Sequence, residues 1–180
     1  MDALAARRRV LGEEHPNTLI SMINLAVLYQ SQGRYGDAEP LLTKAIEVER
    51  RVLGPANPTL QRDLTWLARL RIAQHRYAEA ESILREVLTD PGSEGTDTWR
   101  TSERQSLLGL CLMEQSRFAE AEAPLISGYR GLAERRSGLP ATVSVREAGV
   151  RLVQLYDSWG KPEKAAEWRK QLGAAGFGPR

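Results

Sequence analysis

The chain has little of the chemistry that enzymes use. Among 180 residues there is one cysteine, Cys111, and two histidines, His15 and His75, 60 positions apart. A single cysteine excludes an internal disulfide and suits a reducing compartment, so the cytoplasm is the expected location. Neither histidine belongs to an H-E-x-x-H pattern, and no C-x-x-C or G-x-x-x-x-G-K occurs, so no metal, cofactor or phosphate loop is expected. No run approaches the roughly 20 apolar residues of a membrane span. Arginines also interrupt the first ten residues, MDALAARRRV, so they do not form a secretory signal. The net charge of +2 is too small for a nucleic-acid or acidic-membrane partner. Aromatic residues are only 6% of the chain, which leaves most packing to small and medium aliphatic side chains.

What is present is repetition. His15-Pro16-Asn17-Thr18-Leu19 is echoed by Asn57-Pro58-Thr59-Leu60, with Pro16 and Pro58 standing 42 positions apart. Gln32-Gly33-Arg34-Tyr35-Gly36-Asp37-Ala38-Glu39 returns as Gln74-His75-Arg76-Tyr77-Ala78-Glu79-Ala80-Glu81 at the same interval, and as Gln115-Ser116-Arg117-Phe118-Ala119-Glu120-Ala121-Glu122 after 41 more. A weaker copy begins at Trp159-Gly160-Lys161-Pro162. Arg8-Arg9-Val10-Leu11-Gly12 matches Arg50-Arg51-Val52-Leu53-Gly54, so the first segment reads as the second helix of a pair.

This period, with apolar residues such as Leu19, Met22, Ile23 and Ala26 at three- and four-residue spacing, predicts helices over 2–11, 17–32, 35–53, 58–74, 77–89, 97–115, 118–136, 142–159 and 162–174. Asn57 is placed to cap a helix with Pro58 in its first turn. Gly12, Gly33, Gly54 and Gly160 fall where helices should stop. Residues 90–97 read as a loop between repeats. The expected fold is an all-α, right-handed superhelical solenoid of antiparallel hairpins forming a single domain. Its parts are a half repeat at 1–12, repeats at 13–54, 55–96 and 97–138, a degenerate capping repeat at 139–174 and a tail at 175–180. Small residues recur on the first helices (Ala26, Ala68, Gly109) and on the second (Ala38, Ala80, Ala121, Ala165), where they let helix backbones approach. One hairpin cannot bury its apolar stripe alone, but stacked hairpins can.

Gly33-Arg34-Tyr35 with Ala38-Glu39, and Leu11-Gly12-Glu13-Glu14-His15-Pro16, resemble tetratricopeptide repeats of the kinesin light chain type, over nearly the whole chain. Departures are His75 and Ser116 where that pattern has glycine, and Pro162 where it has an aromatic residue. The segment Leu155 to Arg169 resembles, more softly, the repeat tails of some bacterial serine/threonine kinases. That likeness gives an alternative role, the C-terminal regulatory segment of a larger signalling protein, although no H-R-D or D-F-G is present.

The resemblance implies a non-catalytic scaffold whose first helices line an inner face that takes a partner protein or an extended peptide. Aligning the repeats puts Ile20, Ile23, Asn24, Val27 and Gln30 on that face, then Arg62, Thr65, Trp66, Arg69 and Ile72. Glu103, Ser106, Leu107, Leu110 and Met113 follow, and Glu147, Val150, Arg151 and Gln154 come last. Asn24 matches the asparagine of the family's N-L-A pattern, but Trp66, Leu107 and Arg151 stand at its equivalents, so no asparagine ladder runs through the repeats. The partner-binding candidates are Asn24, Val27, Gln30, Arg62, Trp66, Arg69, Leu110, Arg151 and Gln154. Trp66 with Arg62 and Arg69 is the preferred spot, because spacings of −4 and +3 put all three on one helix face and tryptophan and arginine dominate interface hot spots. The competing reading packs Trp66 between repeats and leaves the arginines to solvent. A second contact surface is expected where Leu4, Val10 and Leu11 of the unpaired first helix lack a neighbour, for an upstream repeat in a longer protein or for self-association with a second copy of the chain.

Overall fold

A computed structural model describes residues 3–89 and 99–176. Within them the chain is all-α: α1 (Ala3–Leu11), α2 (Pro16–Ser31), α3 (Tyr35–Leu53), α4 (Pro58–Ala73), α5 (Tyr77–Thr89), α6 (Trp99–Glu114), α7 (Phe118–Glu134), α8 (Val145–Ser158) and α9 (Pro162–Ala174). The expected loop at 90–97, the start of the helix expected from 97, and residues 177–180 of the tail lie outside the described residues. The chain forms two compact units, residues 1–92 and 93–180.

Local chemistry explains the helix ends. His15 caps α2, its Nδ1 accepting from the Asn17 N–H at 3.2 Å. Asn57 does the same for α4, its Oδ1 accepting from the Thr59 N–H at 2.9 Å. Two described ends differ from expectation by more than one residue. α8 begins at Val145 instead of 142 because Ser144 caps it, accepting from the Glu147 N–H at 3.2 Å. α7 stops at Glu134, two residues early, and a 3-10 turn over Arg136–Gly138 follows. The hairpin turn at Gly33 has φ +73°, and its counterparts take the same left-handed form without glycine: His75 at +59° and Ser116 at +61°.

In the first unit each helix packs on the next, from α1 through α5. Leu4, Met22, Ile23, Ala26, Ala38, Leu42, Ala45, Leu60, Leu64 and Val87 form one continuous core. Ala26, Ala38, Ala68 and Ala80 have no exposed surface, as their recurrence implies. In the second unit α6 packs on α7, α7 on α8, and α8 on α9. Here glycine sets the spacing of the α6–α7 pair. A Cβ on Gly128 would lie 2.6 Å from the Ser106 nitrogen and 2.7 Å from the Ser102 carbonyl oxygen, and one on Gly109 would strike Leu125. Cys111 is fully buried beside them.

Candidate functional site

The face that α4 turns toward α2 carries Arg62 and Trp66 at i and i+4, with Arg69 three residues further on. α2 opposes it with a surface that carries no charge, since residues 16–31 contain no Asp, Glu, Lys or Arg. Between the two helices runs a groove of about 330 Å³ lined by Ile20, Ile23, Asn24, Val27, Thr59, Arg62 and Trp66. Trp66 is half-buried. One side of it packs against the core of the first unit and the other lines the groove. The guanidinium of Arg69 lies 5.5 Å from the Trp66 ring centre, a cation–π contact that steadies the indole. Asn24 is exposed, and Ile20 remains 46% exposed although it belongs to a packed helix, so the groove presents apolar surface to solvent.

Arg62 is not a free surface cation. Its Nε and Nη2 donate to Oδ1 and Oδ2 of Asp63 at 2.7 and 3.0 Å, a bidentate pair. Asp63 itself is wholly buried, and Glu49 of α3, 4% exposed, is hydrogen-bonded to it from behind. Burial, reinforced by the charge of Asp63 and by this hydrogen bond, pushes the Glu49 carboxyl up to about 7; Arg62 opposes the shift only in part. The Asp63 carboxylate in turn holds Arg62 above its ordinary range. An uncharged groove wall therefore sits beside an arginine anchored to a buried pair of acids.

Of the residues expected at the site, the structure brings Asn24, Val27, Arg62 and Trp66 into this one groove, with Arg69 against its tryptophan. Gln30 lies about two turns beyond Asn24 on α2, half-buried, its Oε1 enclosed without a hydrogen-bond partner. Leu110, Arg151 and Gln154 belong to the second unit and do not line the groove. Leu110 is half-buried, Gln154 is exposed, and Arg151 is engaged, donating from Nη1 to Ser106 Oγ at 2.9 Å and from Nη2 to Glu147 at 2.7 Å. Thr65, Glu103, Ser106, Leu107 and Met113, expected on an open face, are buried instead. Ser106 is covered by Arg151 from α8, and Thr65 turns its hydroxyl back onto the Gln61 carbonyl oxygen at 2.8 Å. Thr59, Asp63 and Glu49 were missed. Only Thr59 left a signal, since it follows the capping Asn57-Pro58 and so opens the helix that forms the groove wall.

Among the described residues no three His, Cys, Asp or Glu side chains converge as a metal site. None of the described helices is long and apolar enough to cross a membrane. The groove offers shape, an aromatic surface and a few hydrogen-bonding groups.

Comparison with known proteins agrees with this architecture. The sequence pattern of the tetratricopeptide repeat matches residues 1–51 and 25–90. Among solved structures, kinesin light chain-type, nearly identical TPR-like repeats from Podosopora anserina superpose with a TM-score of 0.78 at 22% identity, over 95% of this chain and 80% of that one. BtubC (BKLC) from P. vanneervenii superposes with a TM-score of 0.72 at 18% identity, over 91% of this chain and 66% of that one. No curated protein matches the sequence.

Proposed function

This chain belongs to the tetratricopeptide repeat family, and from that premise we propose that it is a protein-interaction scaffold whose α2–α4 groove seats an extended segment of a partner protein. The observation that carries the reading is the convergence of Asn24, Val27, Arg62 and Trp66 on one groove of about 330 Å³. Ile20, Val27 and Trp66 offer apolar surface to one or two side chains of the segment. The Asn24 amide, which both donates and accepts, suits the backbone of an extended chain. Hot-spot energetics favour Trp66 as the anchor, because a large, half-buried ring loses little entropy when it is covered.

The test is selection of peptides from a random displayed library on the whole chain, followed by titration of a selected peptide against wild type, Trp66→Ala and Asn24→Ala. Circular dichroism would show whether each variant is folded. A loss of roughly tenfold or more for folded Trp66→Ala, equivalent to at least about 1.4 kcal/mol, supports the reading. Undiminished binding to Trp66→Ala sinks it.

Self-association through α1 is a second reading. It is favoured by Val10 and Leu11, which are 74% and 41% exposed at the end of that helix. Sedimentation of wild type against Val10→Asp/Leu11→Asp decides it, since a dimer there would dissociate in the variant. The regulatory role within a larger signalling protein rests on the Leu155–Arg169 likeness alone. The cytoplasm, where a lone buried thiol such as Cys111 stays reduced, is the compartment that fits a scaffold of this kind.

A further inference from the structure

Behind the groove wall lies a cluster that peptide recognition does not need. Two carboxyl groups, Glu49 from α3 and Asp63 from α4, are 4% and 0% exposed and hydrogen-bonded to each other. Two carboxyl groups in such contact can bond only while one of them carries a proton. The outer oxygens of Asp63 are both taken by Arg62, and Oε2 of Glu49 is enclosed with no hydrogen-bond partner. With the proton present, the three groups sum to zero charge and Arg62 lines the groove beside Trp66 as a balanced ion pair. When the proton leaves, the same three groups sum to one negative charge.

We propose that the buried Glu49–Asp63 pair is a proton-controlled switch that sets the charge presented by Arg62 to the groove, favouring acidic or carbonyl-rich segments when protonated and disfavouring them when not. The surroundings leave this pair to govern its own charge. α2, which packs on α3, carries no Asp, Glu, His, Lys or Arg that could compensate, its one titratable group being the Tyr29 phenol. On α4 the charged groups facing Glu49 are Asp63 and Arg62. On α3 the adjacent Arg50 is committed to Glu86 of α5, its Nη2 donating at 2.8 Å. Burial and the neighbouring charge place the Glu49 proton at about 7, so the exchange falls in the neutral range.

The consequence for binding rests on the groove reading above, but the switch itself is testable without any partner. Carboxyl-carbon NMR of the full chain, from pH 4 to pH 9, would follow the glutamate side chains while the Arg62 Nε–H resonance is recorded in parallel. The expected result is one glutamate carboxyl with a midpoint near 7, an Arg62 resonance that shifts with the same midpoint, and loss of both in Glu49→Gln. The proposal is overturned if every glutamate of the wild type titrates below about 5, the ordinary range for the residue, or if the Arg62 signal stays flat through neutrality. The wild-type spectra decide this even if the variant does not fold. A failed peptide selection leaves the titration standing, so the two claims fail separately.

Discussion

Glu39, on the second helix of one hairpin, accepts a hydrogen bond from Arg76 Nη1 of the next hairpin at 2.9 Å. The same carboxylate takes Gln74 Nε2 at 2.8 Å and Arg71 Nη1 at 2.6 Å. In the repeated R-Y-x-x-A-E segment, the arginine also grips an acid three residues on: Arg34 with Asp37, Arg76 with Glu79, Arg117 with Glu120. The motif thus serves its own helix start through its arginine and a neighbouring hairpin through its last glutamate. In the degenerate fourth copy the arrangement slips by three residues, and Glu122 takes Lys164 at 2.9 Å together with the Tyr156 hydroxyl at 2.7 Å.

The Glu39 contacts predict an acid-sensitive hairpin junction. The hydrogen bond from Gln74, then those from Arg76 and Arg71, hold the Glu39 carboxyl at about 2, below its ordinary 4.5. A depressed carboxylate stabilises the fold fully above the unfolded value and loses that contribution as pH falls from about 4.5 to about 2. Glu39→Gln should lower stability by about 1–2 kcal/mol at pH 7, a figure discounted for partial exposure. Urea denaturation at pH 7 and pH 2.5 checks it: the gap between wild type and variant should shrink markedly at the lower pH.

Ser116 holds φ +61° in a turn where Gly33 holds +73°. A residue with a Cβ pays about 1 kcal/mol or more for this conformation. Ser116→Gly should therefore stabilise the chain by about 0.5–1 kcal/mol, after the greater flexibility of glycine in the unfolded chain is set against the gain. His75→Gly should gain less, because His75 Nδ1 shares a hydrogen bond with the Tyr77 hydroxyl at 2.8 Å that glycine removes. Thermal melts of the two variants side by side would show the order, and an equal or larger gain for His75→Gly would contradict it.

The α6–α7 pair gives a steric prediction with a matched control. At Gly128 an added Cβ meets backbone atoms of α6 at 2.6 and 2.7 Å, so the helices must separate. Gly128→Ala should cost about 1–3 kcal/mol. At Gly36, in the first turn of α3, nothing lies within 4 Å, and Gly36→Ala should instead stabilise by about 0.5–1 kcal/mol. Chemical denaturation of both single variants tests the opposite signs.

These sites mark how far the sequence could be read. The period and its punctuation located the helices, because the His15-Pro16 and Asn57-Pro58 starts and the Gly33 stop are local chemistry that needs no tertiary knowledge. The groove residues Asn24, Val27, Arg62 and Trp66 were legible for the same reason, since repeat alignment carries a helix face from one copy to the next. Asp63 and Glu49 were not. An acid beside an arginine reads as a solvated pair, and only the packing of α3 on α4 takes both acids out of water. Gly128 was equally hidden, because a lone glycine in a helix looks like a weakness until the facing backbone of α6 is seen. Leu110, Arg151 and Gln154 followed from the alignment too, yet they belong to the second unit and have no part in the groove of the first.

Tyr156 carries the last prediction, an alkaline counterpart to Glu39. Its ring is 2% exposed and its hydroxyl donates to Glu122 at 2.7 Å. Burial first, then the bond to the Glu122 carboxylate, push the phenol up to about 12 from its ordinary 10. A group raised in the folded state stabilises the fold fully below its unfolded value and loses that contribution as pH rises from about 10 to about 12. Tyr156→Phe keeps the ring, which stacks on Trp159 at 6.4 Å with planes 4° apart, and removes only the donor. The variant should be about 1–2 kcal/mol less stable at pH 7, as for a buried hydrogen bond to a charged group. The deficit should narrow between pH 10 and pH 12, because only the wild type has this proton to lose. Urea midpoints at pH 7, 10 and 11.5 measure the difference directly, and a gap that stays constant across that range would mean that the hydroxyl stabilises the fold independently of its own ionisation.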